Sequence, residues 1–160
     1  MSEDLPALHE AMGPAAAFLG IFEGDGHGHY PTIAPFVYRE RITFTHLGKP
    51  FLAYQQRTWH PEHGAPMHAE TGYLRLPSPS LAELVLAHPT GFAEIEQGTL
   101  ANGVLRLATT SLGRTDTAKD VRSVRREFVL DADTLTYDVW MAYDAIPETH
   151  HLHARLTRVA

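Results

Sequence analysis

Beyond Gly20 no stretch of this chain sustains a helical repeat; short segments alternate apolar and polar residues between turn signals. "RITFTHLG" sets Ile42 and Phe44 against Arg41, Thr43 and Thr45. "PFLAYQQRTW", "AETGYLRLP", "LAELVLAHP", "FAEIEQGTL", "GVLRLATTSL", "VRSVRREFVLD" and "TLTYDVWMAYD" follow, and "HHLHARLTR" comes last. Each is rich in Val, Leu, Ile, Thr and aromatic residues, the composition of a strand. The separators "HPEHGAP", "LPSPS", "HPTG", "ANG" and "DADT" recur at hairpin spacing. The pattern predicts about nine or ten antiparallel strands, because parallel pairing needs crossover helices for which there is no room. So many strands in one small domain either form a sandwich or close into a barrel, and closure removes the exposed edges. "SLGRTDTAKD" at 111–120 breaks the alternation and reads as a loop. With neither internal repeat nor linker, residues 1–160 read as one domain.

Two segments precede this pattern. "LPALHEAMGPAAAFLG" predicts a short helix, interrupted by Pro14 and ended by Gly20. "GIFEGDGHGHYPTIAPF" predicts the first strand, with Gly20, Phe22, Gly24, Gly26 and Gly28 on one face and Glu23, Asp25, His27 and His29 on the other. A dinucleotide loop needs Gly-x-Gly-x-x-Gly opening a helix, whereas these glycines lead into Tyr30-Pro31. Glycine within a strand marks a sharp bend or the close approach of another group, as expected of a strand that closes a small barrel.

Composition removes several function classes. The net charge of −6 argues against a nucleic-acid partner, and Arg122, Arg125 and Arg126 read as a solvated strand edge. With no cysteine, thiolate chemistry, disulfides and iron–sulfur clusters are excluded. No apolar run is long enough to span a membrane, and acids stand where a signal peptide carries positive charge, so a cytoplasmic location is expected. Ser78, Ser80, Ser111 and Ser123 lie in no nucleophile elbow. Glu94 and Glu96 share a strand face, which alternation with Phe92, Ala93 and Ile95 makes a wet one.

Histidine is the unusual residue: the chain holds 11, three of them in "HHLH" at 150–153. Imidazole ligates iron and zinc. Strand parity places His151 and His153 on one face and His150 on the other. A zinc site would draw on further ligands such as His27 and His29; solvated histidines on a terminal strand are the alternative.

Gly20-x-Phe22-x-Gly24-x-Gly26 resembles the Gly-x-Trp-x-Gly-x-Gly signature of the nitrobindins, haem-binding β-barrels related in fold to fatty-acid-binding proteins. "YPTIAPFVYRE", "HLGKPFLAYQQRTW", "MHAETGYLRLP", "ELVLAHPTGFAEIEQG" and a C-terminal His-Leu pair follow in the family's order over nearly the whole chain. Phe22 stands in place of the family Trp, which keeps an aromatic plug and loses an indole N–H. The resemblance implies an all-β, closed antiparallel barrel of about ten strands with a short N-terminal helix. It implies one ferric haem b per subunit, reversible nitric oxide binding and isomerisation of peroxynitrite to nitrate, in a monomer or homodimer. The family's axial ligand carries over to His151, because Leu152 follows it. Parity along the apolar stripe of Leu152, Ala154 and Leu156 favours His150 instead, unless a bulge intervenes or the stripe packs outward, so His150 is the alternate. Thr32 and Lys119 match positions that approach the haem. Met67, His68, His88 and Met141 match the pocket wall, with His68 the polar group over the haem face. The competing reading is a haem-free carrier of fatty acid or another apolar small molecule.

Overall fold

The computed structural model describes residues 4–160. Ten antiparallel strands form the barrel: β1 (Gly20–Tyr30), β2 (Ile33–Thr45), β3 (Leu52–Trp59), β4 (Pro66–Ser78), β5 (Leu81–Ala87), β6 (Phe92–Ala101), β7 (Val104–Arg114), β8 (Val121–Asp131), β9 (Thr134–Tyr143) and β10 (Ile146–Arg158). Each strand pairs with its chain neighbours, and β1 pairs with β10 to close the ring. Closure leaves no sheet edge to template aggregation. The turn chemistry holds at "ANG", where Asn102 (φ 52°) and Gly103 (φ 75°) both adopt the left-handed backbone of a tight hairpin. The segment 111–120 is only partly a loop. Residues 111–114 extend β7, with Phe92 and Arg114 paired across the ladder, because β6 offers bonding partners that a solvated loop would lack. No helix among the described residues is long and apolar enough to cross a membrane.

The N-terminal helix is a 3₁₀ helix spanning Glu10–Phe18, shorter than the segment predicted from sequence, with Pro14 inside it. Proline withholds an N–H and fixes its own φ, and a tighter winding tolerates both over a short run. Three residues per turn put Met12, Ala15 and Phe18 in one row, and all three are buried. Phe18 meets Phe44 edge-on at 5.8 Å and seals the barrel end where β1 begins. Phe22 is fully buried at that same end, with the Arg158 guanidinium 4.5 Å from its ring centroid. The aromatic of the glycine motif is therefore core.

The glycine face of β1 lets other groups approach closely. A Cβ at Gly24 would overlap the Arg155 carbonyl oxygen on β10, and one at Gly26 would sit inside the Tyr38 ring. Tyr38 is held there by its hydroxyl, 2.7 Å from that of Tyr137. Gly26→Ala should therefore displace the Tyr38 ring, break this bond and cost about 1–3 kcal/mol in a urea titration. An unchanged midpoint would show that the ring moves freely.

Inside, the barrel is layered. Toward the closed end the inward residues are apolar, among them Phe44, Leu52, Leu74 and Leu84. Nearer the open end the same strands turn inward Glu40, Gln56, Glu70, Glu94, Glu96 and Arg126, all buried. The wet-face reading of Glu94 and Glu96 and the solvated-edge reading of Arg126 are thus overturned. Ile95, between the two buried glutamates, faces outward and is 39% exposed. The barrel interior is polar at this level, so apolar residues no longer mark the inner face.

Candidate functional site

A cavity of about 640 Å³ opens at the end of the barrel where β1 finishes and β10 starts. That is ample for a cofactor-sized ligand. Thr32, Met67, His68, His88, Lys119, Met141 and His151, the residues singled out by the resemblance, all line it. Phe36, Phe92, Val121 and Leu152 supply apolar wall between them.

His151 enters the cavity because of one extra residue. His150 pairs with Trp140 and Leu152 with Val139, so His151 is bulged out of the β9–β10 ladder. The bulge resets parity, so both His151 and Leu152 line the cavity while Ala154 and Leu156 remain in the core. His151 Nδ1 lies 3.0 Å from the His29 carbonyl oxygen. A carbonyl only accepts, so Nδ1–H donates and Nε2 keeps its lone pair. Tyr30 and Phe36 meet the ring edge-on, at 5.3 Å and 6.3 Å, and fix its plane. Burial pushes the His151 pKa below the ordinary imidazole value, and the bond to His29 opposes this in part. The ring is therefore neutral at physiological pH.

His150 lies off the cavity. Its Nε2 is 2.8 Å from Asp138 Oδ1 and its ring stacks on His29 at 5.0 Å. His153 Nδ1 bonds the same Asp138 oxygen at 2.9 Å, and His27 sits beside His153 at 5.4 Å. The His151–His153 pair read from parity does not form; His150 and His153 meet His29 and His27 instead, because the bulge separates His151 from His153. The hydrogen bonds from His150 and His153 prevail over partial burial and hold the Asp138 pKa below its usual range.

The polar layer forms the cavity floor. Arg126 places Nη1 2.8 Å from Glu70, Nη2 2.8 Å from Glu94, and Nε 2.7 Å from Glu96, the last off the N–H direction and so a close contact rather than a hydrogen bond. Burial works to raise the Glu70 pKa, but the neighbouring Arg126 guanidinium and a contact from His68 hold it well below the carboxylate range. Burial pushes the Glu96 carboxyl up to about 8, outweighing Arg126. Glu40, farther from that cation, is likewise pushed up to about 8 by burial, although Gln56 Nε2 at 2.5 Å and the Tyr137 hydroxyl at 2.9 Å donate to it. Single-sequence reasoning missed this floor. One signal was available: Tyr38-x-Glu40-x-Ile42-x-Phe44 puts Glu40 on the inward stripe.

The raised Glu40 pKa sets a sign for stability. The folded carboxyl keeps its proton from 4.5, its unfolded value, to about 8, so the native state binds more protons there and stability falls as pH rises through that window. The slope attributable to Glu40 is at most about 1.4 kcal/mol per pH unit. Glu40→Gln, which stays neutral, should flatten the decline in a series of urea titrations; a variant as pH-dependent as wild type would mean that Glu40 is ionised in the fold.

The sequence matches the family described as the THAP4-like, heme-binding beta-barrel domain over residues 11–158. Peroxynitrite isomerase 2 of Mycobacterium marinum is 49% identical over 159 residues, covering 96% of this chain and 99% of that relative. Peroxynitrite isomerase of Nocardia farcinica is 51% identical over 156 residues, covering 95% and 93%. The crystal structure of Rv2717c from M. tuberculosis aligns with a TM-score of 0.91 at 42% identity, covering 96% of this chain and 100% of that one.

Proposed function

Because this chain belongs to the THAP4-like, heme-binding β-barrel family, we propose that it carries one haem b in the open cavity, with His151 as axial ligand, and isomerises peroxynitrite to nitrate. The relatives named peroxynitrite isomerase support the reaction at about half identity over almost the whole chain. Reversible nitric oxide binding belongs to the same reading, as does action as a single-domain monomer or homodimer in the cytoplasm.

One observation carries the proposal: a neutral imidazole, oriented by a backbone carbonyl, lines the cavity with its Nε2 lone pair unused. That is the donor an axial iron position requires. The rest of the lining fits the group. Phe36, Met141 and Leu152 present apolar surface to a macrocycle, and Lys119 at the mouth offers a cation to a carboxylate side arm. When bound, the haem would supply an iron centre that activates peroxynitrite for rearrangement, its O–O bond breaking as the terminal oxygen bonds to nitrogen to give nitrate. The protein does the remainder. His29 holds the His151 proton at Nδ1, Tyr30 and Phe36 fix the ring, and His68 faces the cavity as a polar group. A carrier of fatty acids is less well supported. The floor cation, Arg126, is already paired with Glu70 and Glu94 and has no charge left for a lipid head group.

The test is stopped-flow decay of peroxynitrite with product analysis. The haem-loaded chain should speed the decay and raise the nitrate share, and the haem-free chain should do neither. Equal product ratios in the two samples would reject the activity. Acid should release the haem as His151 takes up a proton. Since burial depresses this pKa, retention should persist through the ordinary imidazole range, about pH 6.5, and fail below it. Loss of the haem spectrum above that range would contradict the buried ligand.

A further inference from the structure

Across the cavity from His151 a second set of donors converges. The barrel order puts β10 five places from β5 around the ring, so His88 just after β5 and His68 near the start of β4 stand on the opposite wall. Three atoms meet there: His68 Nε2, His88 Nδ1 and Glu70 Oε2. Their separations are 3.4 Å between the two ring nitrogens, 3.5 Å from His88 to Glu70 and 3.9 Å from His68 to Glu70. A tetrahedral ion bound at about 2.0–2.1 Å needs donor–donor edges of about 3.4 Å.

The surroundings leave these atoms electron-rich. His88 Nε2 is 2.9 Å from Glu94 Oε1, which also receives Arg126. A carboxylate accepting from both fixes the His88 proton at Nε2 and leaves the Nδ1 lone pair facing Glu70. The His88 ring is further held by stacking on Phe92 at 4.0 Å. Glu70 uses Oε1 for the Tyr54 hydroxyl at 2.6 Å and for Arg126, so Oε2 is the oxygen turned to the two rings. Carboxylate to histidine to an empty point is the outer-sphere arrangement that orients metal ligands. His68 Nε2 carries a proton or a lone pair according to its tautomer, and giving up that proton would complete the donor set.

We propose that His68 Nε2, His88 Nδ1 and Glu70 Oε2 form a binding site for a divalent transition-metal ion, zinc by its donor set, on the cavity wall facing His151. Two imidazoles and one carboxylate match zinc, and the fourth position opens to the cavity, where it would take water or an anion. The site does not depend on the haem.

The test is zinc uptake by the full chain, haem-free and haem-loaded, after dialysis against zinc and removal of loose metal. Elemental analysis distinguishes zinc from haem iron. His68 has a side chain 35% exposed, so His68→Ala leaves the fold intact and is the primary variant. His88→Ala is the second, and a His60→Ala/His63→Ala double variant controls for the stacked surface pair. The expected result is one zinc per chain in at least one form, kept by the surface variant. Affinity should weaken in His68→Ala and His88→Ala by more than the about 10–100-fold that losing an outer-sphere partner costs. Equal uptake by wild type and His68→Ala in both forms, or no uptake by wild type in either, overturns the site.

Discussion

His151→Ala is expected to remove the Soret band of the haem-loaded protein and to lower haem affinity by on the order of 100-fold or more, above the 10–100-fold cost of losing an outer-sphere partner. The reason is local. Removing the ring deletes the Nε2 donor and leaves the His29 carbonyl without its Nδ1–H partner. His150 cannot take over, because its two nitrogens are engaged by Asp138 and His29 on the outer wall. His150→Ala should therefore bind haem as wild type does, and the pair of variants separates a ligand role from general disturbance of β10. Titration with haem followed by absorbance gives both affinities. An unchanged spectrum in His151→Ala, or its loss in His150→Ala alone, would assign the ligand wrongly.

Arg126→Met should cost about 3–5 kcal/mol of folding stability, the range for breaking a buried ion pair from one side. Arg126 is only 5% exposed and faces Glu70, Glu94 and Glu96. Methionine fills much of the volume but leaves the carboxylates without a counter-charge. Glu70 would lose the cation that holds its pKa down and would take up a proton more readily. The sign of the pH dependence follows. In the variant the carboxyls can be neutralised by acid, so the loss should shrink toward pH 5 and grow toward pH 8. Urea titrations at both values measure it. Adding Glu94→Gln to Arg126→Met should recover part of the stability, since it removes one uncompensated charge. A loss under 1 kcal/mol would mean that water reaches these groups through the cavity and screens them.

The fold was legible because its causes are local and repeated. Alternation at period two, the Asn102-Gly103 turn and the glycine row of β1 each act over a few residues, and the absence of helical spacing beyond Gly20 left only antiparallel pairing. The helix lies within the segment read from sequence, at Glu10–Phe18, but its 3₁₀ winding was not read there. The three-residue spacing of Met12, Ala15 and Phe18 was present in the chain, but it becomes informative only when there is a barrel end to cover. The membership in the heme-binding barrel family agrees with the resemblance read from the glycine motif and the ordered segments. His151 and His150 show the limit of parity: the bulge that turns one inward is a property of the β9–β10 register, which no segment of β10 encodes alone.

The polar floor marks the same boundary from the other side. Glu94, Glu96 and Arg126 look like surface residues because charged groups are rarely buried unless paired, and the cation they share is distant in sequence, with Arg126 and Glu94 at a separation of 32. By itself the patterning determined antiparallel strands, their turns and the close approach along β1, since those rest on backbone sterics and nearest neighbours, while the choice of a closed barrel over a sandwich rested on the family resemblance. Only the tertiary structure decided which histidine enters the cavity, which carboxyls keep their protons and which donors face His151. Each of those depends on charges and dipoles brought together by ring closure, where burial makes their interactions strong.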